Sequence, residues 1–266
     1  MNKVSVPRLL IVAGSDCGGG AGIQADIKTA TAFGVYAMTA ITAVTVQNTL
    51  GVSGWHPVPP DTVRGQIEAC LSDIGADAIK TGMLGDAQMV ETVAAALKGH
   101  AVPVVVDPVM VAKGGAKLLA DAAVNAIRTR LLPQATLVTP NLPECEALIG
   151  FAPVTDAQAR DAAEKFRALG VRHVLFKGGH AQGPVVRDIL ADGETGELLL
   201  LEAPRIETCH THGTGCTLAS AIASGLAQGL PLADTVRRAH AYVQEAIRTA
   251  PGLGHGHGPL NHFVKP

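Results

Sequence analysis

The segment His212–Thr217, with the sequence HGTGCT, combines two glycines with a cysteine at the start of an apolar stretch. Three apolar residues then recur at every fourth position, which predicts a helix with one buried face over about 215–227. Gly213, Thr214 and Gly215 would form its N-terminal turn, where free backbone N–H groups and the helix dipole favour an anion. The alternative is that glycine and threonine only start a tightly packed helix.

Cys216 lies in the first turn of this predicted helix. A thiol at a helix N-terminus has a lowered pKa, so we expect Cys216 to accept a proton or to attack an electrophile near neutral pH. The alternative is a small buried cysteine that fills space, which is the common fate of a free cysteine.

A second glycine cluster, GSDCGGGAG at 14–22, follows an apolar run and precedes a predicted helix. It lacks the lysine of a P-loop, and no acidic residue ends the second strand as a dinucleotide site requires. The glycines predict close approach of the backbone to a small ligand, against the alternative of a flexible loop. Asp26 and Gln47 would face this cavity, and the amide of Gln47 suits a heterocycle with an amino group beside a ring nitrogen.

Three further polar side chains follow apolar runs. Asp107 and Glu144, with Asn141 nearby, could hold a hydrated Mg²⁺, although Asp107 and Asn141 could instead be turn or cap residues. Lys177 follows the apolar run VLF and could neutralise phosphate charge, the alternative being a solvated surface lysine.

The elements that must position these residues alternate between short apolar runs and alanine-rich helical stretches. The predicted strands are Leu9–Gly14, Ala40–Val46, Ala78–Gly82, Val102–Asp107, Thr136–Thr139 and His173–Lys177, with a hairpin of Val186–Ala191 and Glu197–Leu201. The other predicted helices are Ile23–Phe33, Asp61–Ser72, Ala87–Leu97, Asp121–Leu131 and Asp156–Leu169. This order predicts one α/β domain over 1–266, with a doubly wound sheet whose ligands bind at the carboxyl ends of the strands.

Composition limits the class of function. The chain has 266 residues, 21 basic and 23 acidic side chains and 3% aromatic residues, which argues against a nucleic-acid partner. No apolar stretch is long enough to span a membrane or to act as a signal peptide. The five cysteines form no CxxC pair, so we expect a reduced, cytoplasmic protein that acts on small molecules.

Together, the motifs resemble those of the hydroxymethylpyrimidine/phosphomethylpyrimidine kinases of thiamine biosynthesis, within the ribokinase-like superfamily. The matching segments are IVAGSD, GGGAGIQADIKT, ITAVTVQNT, IKTGML, VVVDPVM, TPNLPE, LFKGGH, THGTGCT and GHGHGP, which run from about residue 8 to residue 263. The resemblance implies a three-layer αβα fold with a mostly parallel sheet. It also implies ATP and Mg²⁺, phosphorylation of 4-amino-5-hydroxymethyl-2-methylpyrimidine and then of its monophosphate, and often a homodimer.

The resemblance also implies a role for each site residue. Gln47 would hold the aminopyrimidine, in a pocket lined by Gly14, Asp26 and Met83. The backbone of Gly213, Thr214 and Gly215 would stabilise the transferring phosphoryl group, and Cys216 would be the catalytic base. Lys177 and Thr211 would contact the ATP phosphates, and Asp107 and Glu144 would bear on Mg²⁺.

Three rival interpretations remain. A pyridoxal or pyridoxine kinase shares the fold, although Gln47 favours the aminopyrimidine. A cysteine hydrolase or acyltransferase would use Cys216 as nucleophile and His210 or His212 as base, but no third positioned group supports this. A nucleotide sensor without turnover would also fit the fold. The tail GHGHGPLNHF predicts a closing loop near the site rather than a metal site.

Overall fold

A computed structural model describes residues 6–110, 121–180 and 182–266. These residues form nine strands: β1 (Arg8–Ser15), β2 (Tyr36–Asn48), β3 (Gly51–Pro57), β4 (Ala78–Thr81), β5 (Val104–Val106), β6 (Leu137–Val138), β7 (His173–Phe176), β8 (Val185–Asp192) and β9 (Leu198–Pro204). The strands join in one sheet in the order β3-β2-β1-β4-β5-β6-β7-β8-β9. The six strands from β2 to β7 in this order are parallel, and β3, β8 and β9 pair with their neighbours in antiparallel fashion.

The same residues form eight α-helices: α1 (Gly22–Ala32), α2 (Pro60–Ala69), α3 (Ala87–Leu97), α4 (Asp121–Ala126), α5 (Leu142–Ile149), α6 (Asp156–Ala168), α7 (Thr214–Ala227) and α8 (Leu232–Arg248). Short π-helical segments extend α2 and α4 by Cys70–Ile74 and Ile127–Leu131. No helix in the described ranges is both long and apolar enough to cross a membrane.

Alternate residues of the central strands pack into two separate hydrophobic cores, one on each face of the sheet. On β1, Leu10 and Val12 pack into the core under α2 to α6, whereas Leu9 and Ile11 pack under α1, α7 and α8. Both sets are fully buried, so β1 is a continuous apolar run, as a parallel strand covered on both faces requires. The predicted doubly wound α/β architecture, with a mostly parallel sheet and helices on both faces, is confirmed.

The predicted strands all form, including the antiparallel hairpin β8–β9. The predicted helices also form, with ends that differ by a few residues. Strand β3 and helices α5 and α8 are additional. Helix α5 begins with a capping box, in which the side chain of Asn141 accepts a hydrogen bond from the backbone N–H of Glu144 and the Glu144 carboxylate accepts one from Asn141 N. Asn141 is therefore the N-cap of α5, which is the alternative role given for it in the sequence analysis.

Candidate active site

The carboxyl ends of the parallel strands meet at one edge of the sheet, and there the loops enclose a cavity of about 1030 Å³. This volume is at the upper end of the range for small-molecule sites, so it has room for more than one small ligand. The cavity is lined by eleven of the twelve predicted site residues: Gly14, Gln47, Met83, Asp107, Glu144, Lys177, Thr211, Gly213, Thr214, Gly215 and Cys216. Sequence positions more than 200 residues apart therefore come together where the alternation of strands and helices predicts a site.

Asp26 is the exception and corrects the expectation that it faces the cavity. Its side chain is fully buried, and both carboxylate oxygens accept hydrogen bonds from Lys80 Nζ at 2.9 Å. Ser220 Oγ on α7 donates a further bond of 2.6 Å to Asp26. The strand β4 places Lys80 on the α1 and α7 side of the sheet, so Asp26 turns inward to neutralise a buried ammonium group.

The turn before α7 has the geometry of an anion site. Gly213 has a left-handed φ of +83° and is the N-cap, and no side chain of the described residues caps the helix. Thr214 Oγ1 donates to Thr211 O at 2.8 Å, which closes the turn from within. The N-terminal amides of a 14-residue helix therefore face the cavity, where the helix dipole favours negative charge.

A charged cluster lies beside this turn. Lys177 Nζ donates to Asp107 Oδ1 at 2.8 Å and lies 3.6 Å from Glu144 Oε2. A Cβ placed on Gly215 would lie 3.4 Å from Lys177 Nζ and 3.5 Å from Asp107 Oδ2, which is ordinary van der Waals contact, so the start of α7 lies directly against both groups. Burial alone would lower the pKa of Lys177, but the carboxylates of Asp107 and Glu144 hold that pKa above its ordinary value. Lys177 is a partly buried cation at the cavity, not a solvated surface lysine.

The acidic pair could hold a divalent cation. Asp107 Oδ2 is buried and has no hydrogen-bond partner among the described residues, and burial raises the pKa of Glu144 against the opposing pull of Lys177. A buried carboxylate oxygen without a donor is the ligand that a hard cation such as Mg²⁺ takes. The residues present therefore fit a metal that is bound by one or two carboxylates and by phosphate oxygens.

Cys216 is positioned as predicted, but its ionisation differs from the expectation. Burial raises the pKa of the thiol to about 11, although Lys80 and the N–H of Gly22 act in the opposite direction. The helix N-terminus does not overcome the desolvation cost of a thiolate at this half-buried position, so Cys216 is a neutral thiol near pH 7 before any ligand binds.

The glycine cluster at 14–22 also differs from its expected role, because several of its glycines accommodate the protein itself. A Cβ on Gly20 would lie 2.6 Å from the His212 ring, one on Gly22 would overlap Gly14 O, and one on Gly213 would overlap Gly20 O. The loop thus packs backbone to backbone against the turn before α7. Gly14 does line the cavity, next to the Met83 side chain.

Asp16 and His212 connect these two loops, although no role for Asp16 was predicted from the sequence. His212 Nε2 lies 2.9 Å from Asp16 Oδ2, and the same carboxylate accepts backbone N–H bonds from Gly18, Gly20 and Ala21. The signal in the sequence was an aspartate directly after β1, which is the same pattern that identified Asp107 after β5.

The C-terminal tail also borders the site. His257 N donates to Thr49 O at 2.8 Å, and His212 N donates to Gly258 O at 3.1 Å. His257 lines the cavity, and its Nδ1 lies 3.1 Å from Cys209 O. The alternate glycines allow this contact, since a Cβ on Gly256 would overlap Thr49 O. The tail is the closing segment that its composition predicts, and it joins the end of β2 to the turn before α7.

A three-layer α/β fold with a helix N-terminus and a lysine–carboxylate cluster in one cavity is the arrangement of a small-molecule kinase of the ribokinase-like class. The sequence profile of the phosphomethylpyrimidine kinase family matches residues 16–261. The chain belongs to this family.

Individual relatives agree with the family match. A Streptomyces coelicolor protein named hydroxymethylpyrimidine/phosphomethylpyrimidine kinase is 51% identical over 259 residues, which cover 97% of this chain and 95% of the relative. The Geobacter sulfurreducens thiamine biosynthesis bifunctional protein ThiED is 52% identical over 257 residues, which cover 96% of this chain. The chain spans about half of that protein's length, since the match covers 52% of it.

Solved structures share the fold over nearly the whole chain. Bacillus subtilis pyridoxal kinase in an ADP complex has a TM-score of 0.88 and 38% identity, covering 97% of this chain and 98% of that one. Phosphomethylpyrimidine kinase from Clostridium difficile has a TM-score of 0.79 and 37% identity, covering 91% of this chain and 100% of that one.

Proposed function

We propose that this chain transfers phosphate from ATP to the hydroxymethyl group of 4-amino-5-hydroxymethyl-2-methylpyrimidine, and then to the resulting monophosphate, in thiamine biosynthesis. The observation that carries the proposal is that one cavity joins Gln47 and Met83 to the turn before α7. The first two residues suit a flat ring with an amino group, and the turn suits a phosphoryl group. The proposed catalytic unit is the single domain of residues 1–266.

Phosphoryl transfer requires positioning and charge stabilisation more than covalent chemistry by the protein. In this proposal the amides of Gly213, Thr214 and Gly215 stabilise the transferring group, while Lys177 and Thr211 contact the phosphates of ATP. Lys177 Nζ donates a hydrogen bond of 2.8 Å to Asp107 Oδ1. To contact the phosphates, it would replace this hydrogen bond, in part, with hydrogen bonds to phosphate oxygens. The residues that would contact the pyrimidine are Gln47, Gly14 and Met83.

Asp107 and Glu144 would hold Mg²⁺ beside the phosphates, because Asp107 Oδ2 is buried without a donor among the described residues. When bound, the metal neutralises charge on the phosphate oxygens. Cys216 is the group that would take the proton from the attacking hydroxyl. Its pKa of about 11 means that only the minor thiolate form can accept this proton near neutral pH.

The assay that tests the proposal is product analysis with ATP, Mg²⁺ and the hydroxymethylpyrimidine, followed by ion-exchange separation and phosphorus NMR. We expect the monophosphate first and the pyrophosphate second. Absence of both products from folded protein that binds ATP would contradict the proposal and favour a nucleotide sensor.

Pyridoxal phosphorylation is the second candidate, favoured by the TM-score of 0.88 to Bacillus subtilis pyridoxal kinase. The two alcohols can be compared as substrates of one preparation. A kcat/KM that is higher for pyridoxal than for the pyrimidine would assign the chain to that activity instead.

We also propose a cytoplasmic homodimer. All five cysteines are free, which suits a reducing compartment. One face of β2 exposes Val44 by 47% and Val46 by 55%, and a second copy of this chain would cover both side chains. Light scattering should give twice the chain mass of 27.2 kDa, and Val46→Asp should give the chain mass alone. A wild-type mass of one chain would overturn the dimer.

A further inference from the structure

Lys177 lies where the chain leaves strand β7, and hydrogen bonds hold its backbone on two sides. Its own N–H donates to Pro140 O at 3.0 Å, which ties it to the segment between β6 and α5. The N–H of Gly178, the next residue, donates to Asp188 Oδ1 on β8 at 2.8 Å, in a buried hydrogen bond. Both peptide groups that flank the Cα atom of Lys177 are therefore fixed.

The Asp188 side chain takes the place of a backbone acceptor. The antiparallel pairing of β7 with β8 ends at Phe176, and the next pair in this register would be Lys177 with Asp188. Gly178 instead begins a short 3₁₀ turn, and Arg187 O occupies the space that a side chain on Gly178 would need. The chain can leave the sheet at this point because the Asp188 carboxylate pairs the buried N–H.

The position of the Lys177 backbone determines where its ammonium group can reach. Lys177 Nζ lies 2.8 Å from Asp107 Oδ1, and a Cβ placed on Gly215 at the start of α7 would lie 3.4 Å from the same nitrogen. The ammonium group is thus next to the turn proposed to bind the transferring phosphoryl group. Because the lysine side chain is long and flexible, the protein must hold its backbone if the charge is to stay there.

We propose that Asp188 is a positioning residue, which holds Lys177 in place to contact the phosphates of ATP by accepting the N–H of Gly178. The inference rests on the proposed function, in which Lys177 makes that contact. Asp188 is 7% exposed and also lines the cavity. The experiment must therefore separate an effect through Lys177 from a direct contact between Asp188 and the nucleotide.

Two substitutions of Asp188 separate the acceptor from the charge. Asp188→Leu removes the acceptor and leaves the N–H of Gly178 buried without a partner, so kcat/KM for ATP should fall by about 10- to 100-fold. KM for the pyrimidine should stay within about twofold, because Gln47, Gly14 and Met83 lie on other parts of the sheet. Asp188→Asn keeps a carbonyl acceptor, and its kcat/KM for ATP should stay within about threefold of the wild type.

A double-mutant cycle tests whether the effect passes through Lys177. In a Lys177→Met background, Asp188→Leu should change the dissociation constant of ATP by less than about twofold, since there is no ammonium group left to position. In the wild-type background the same substitution should weaken ATP binding by about threefold or more. Titration calorimetry without an acceptor measures these constants and does not require turnover.

Asp192 provides the matched control on the same strand. It lies at the opposite end of β8 and accepts the N–H of Glu194 at 2.7 Å. Asp192→Leu should therefore lower the stability of the protein but leave kcat/KM for ATP within about twofold. An equal loss of kcat/KM in Asp192→Leu and Asp188→Leu would show a general disturbance of β8 and would overturn the inference.

Two other outcomes would also overturn it. Asp188→Asn as impaired as Asp188→Leu would assign the effect to the charge of Asp188, and an undiminished effect in the Lys177→Met background would assign it to another contact. If Asp188→Leu does not fold, Asp188→Ser replaces it, because the serine hydroxyl is one bond shorter than the carboxylate. The expected pattern of ATP binding in a protein that phosphorylates no pyrimidine would count against the proposed function alone.

Discussion

Lys80 Nζ donates hydrogen bonds of 2.9 Å to both carboxylate oxygens of Asp26, and neither side chain is exposed to solvent. Burial raises the pKa of Asp26 against the opposing charge of Lys80, and the Asp26 and Asp107 carboxylates hold the pKa of Lys80 above its ordinary value. Each charge is therefore tolerated only because the other is present. The pair ties β4 to α1, and Ser220 extends the link to α7.

Removing one partner should be costly. We expect Lys80→Met to lower the free energy of unfolding by about 3–5 kcal/mol, because it leaves an uncompensated carboxylate. The double variant Lys80→Met/Asp26→Leu should recover most of this loss, as measured by urea denaturation. Arg8→Met is the matched control at the other end of β1 and β4: Arg8 and its partner Asp77 are both partly exposed, so the loss should be much smaller than for Lys80→Met. A double variant no more stable than Lys80→Met would refute this account.

The turn before α7 should not tolerate a side chain at Gly213. Its φ is +83°, and a Cβ would overlap Gly20 O, so Gly213→Ala should displace the turn and reduce kcat by about 10²-fold or more. Gly229→Ala is the control: Gly229 has a φ of +77°, but a Cβ there would meet no atom of the described residues within 4 Å. That variant should lose only about 1 kcal/mol of stability and keep its kcat. Equal effects on kcat would show that the turn geometry is not required.

The reaction should accelerate with pH if Cys216 accepts the proton. Since burial raises the thiol pKa to about 11, the thiolate fraction grows roughly tenfold per pH unit between about pH 7 and 9. We expect kcat/KM for the pyrimidine to follow that slope. Cys216→Ser should lower kcat by about 10²-fold, with no such slope and a similar ATP affinity. Near-normal kcat in this variant would remove Cys216 from the mechanism.

Asp16 should contribute to stability above acidic pH. Its folded-state pKa of about 2 lies below that of an unfolded aspartate, so its contribution is complete above about pH 4 and is lost as the pH falls towards 2. The difference in unfolding free energy between wild type and Asp16→Asn should therefore shrink by about 2 kcal/mol from about pH 5 to pH 2. His212→Gln should weaken this dependence, since the His212 ring is one of the groups that lower the pKa. A difference independent of pH would contradict the assignment.

The architecture and the location of the site could be predicted from the sequence because each depends on a local pattern. Apolar runs such as Val104–Val106 must be buried on both faces, and polar residues directly after them must lie at one edge of the sheet. Asp107 and Lys177 follow from that rule, although their direct contact at 2.8 Å does not.

The features of the site that could not be predicted from the sequence depend on contacts between residues that are distant along the chain. The charge of Asp26 and its position on a predicted helix do not indicate where its side chain points. Only its contact with Lys80 of β4 shows that the side chain points away from the cavity. Lys80 lies within the apolar strand segment AIKT, and this position could have indicated that a buried carboxylate balances its charge. Likewise, the position of Cys216 in its helix was predicted, but its pKa depends on burial by other elements.

The contacts of the C-terminal tail have a consequence for synthesis of the chain. Gly258 accepts the bond from His212, and His257 donates to Thr49, so the site is held closed by residues that leave the ribosome after all nine strands of the sheet. Strands β1 to β7 can pair earlier, because chains fold from the N-terminus as they emerge. A nascent chain that already has its sheet would thus still lack a closed site, and catalytic competence would arise only once residues 257 and 258 have also emerged.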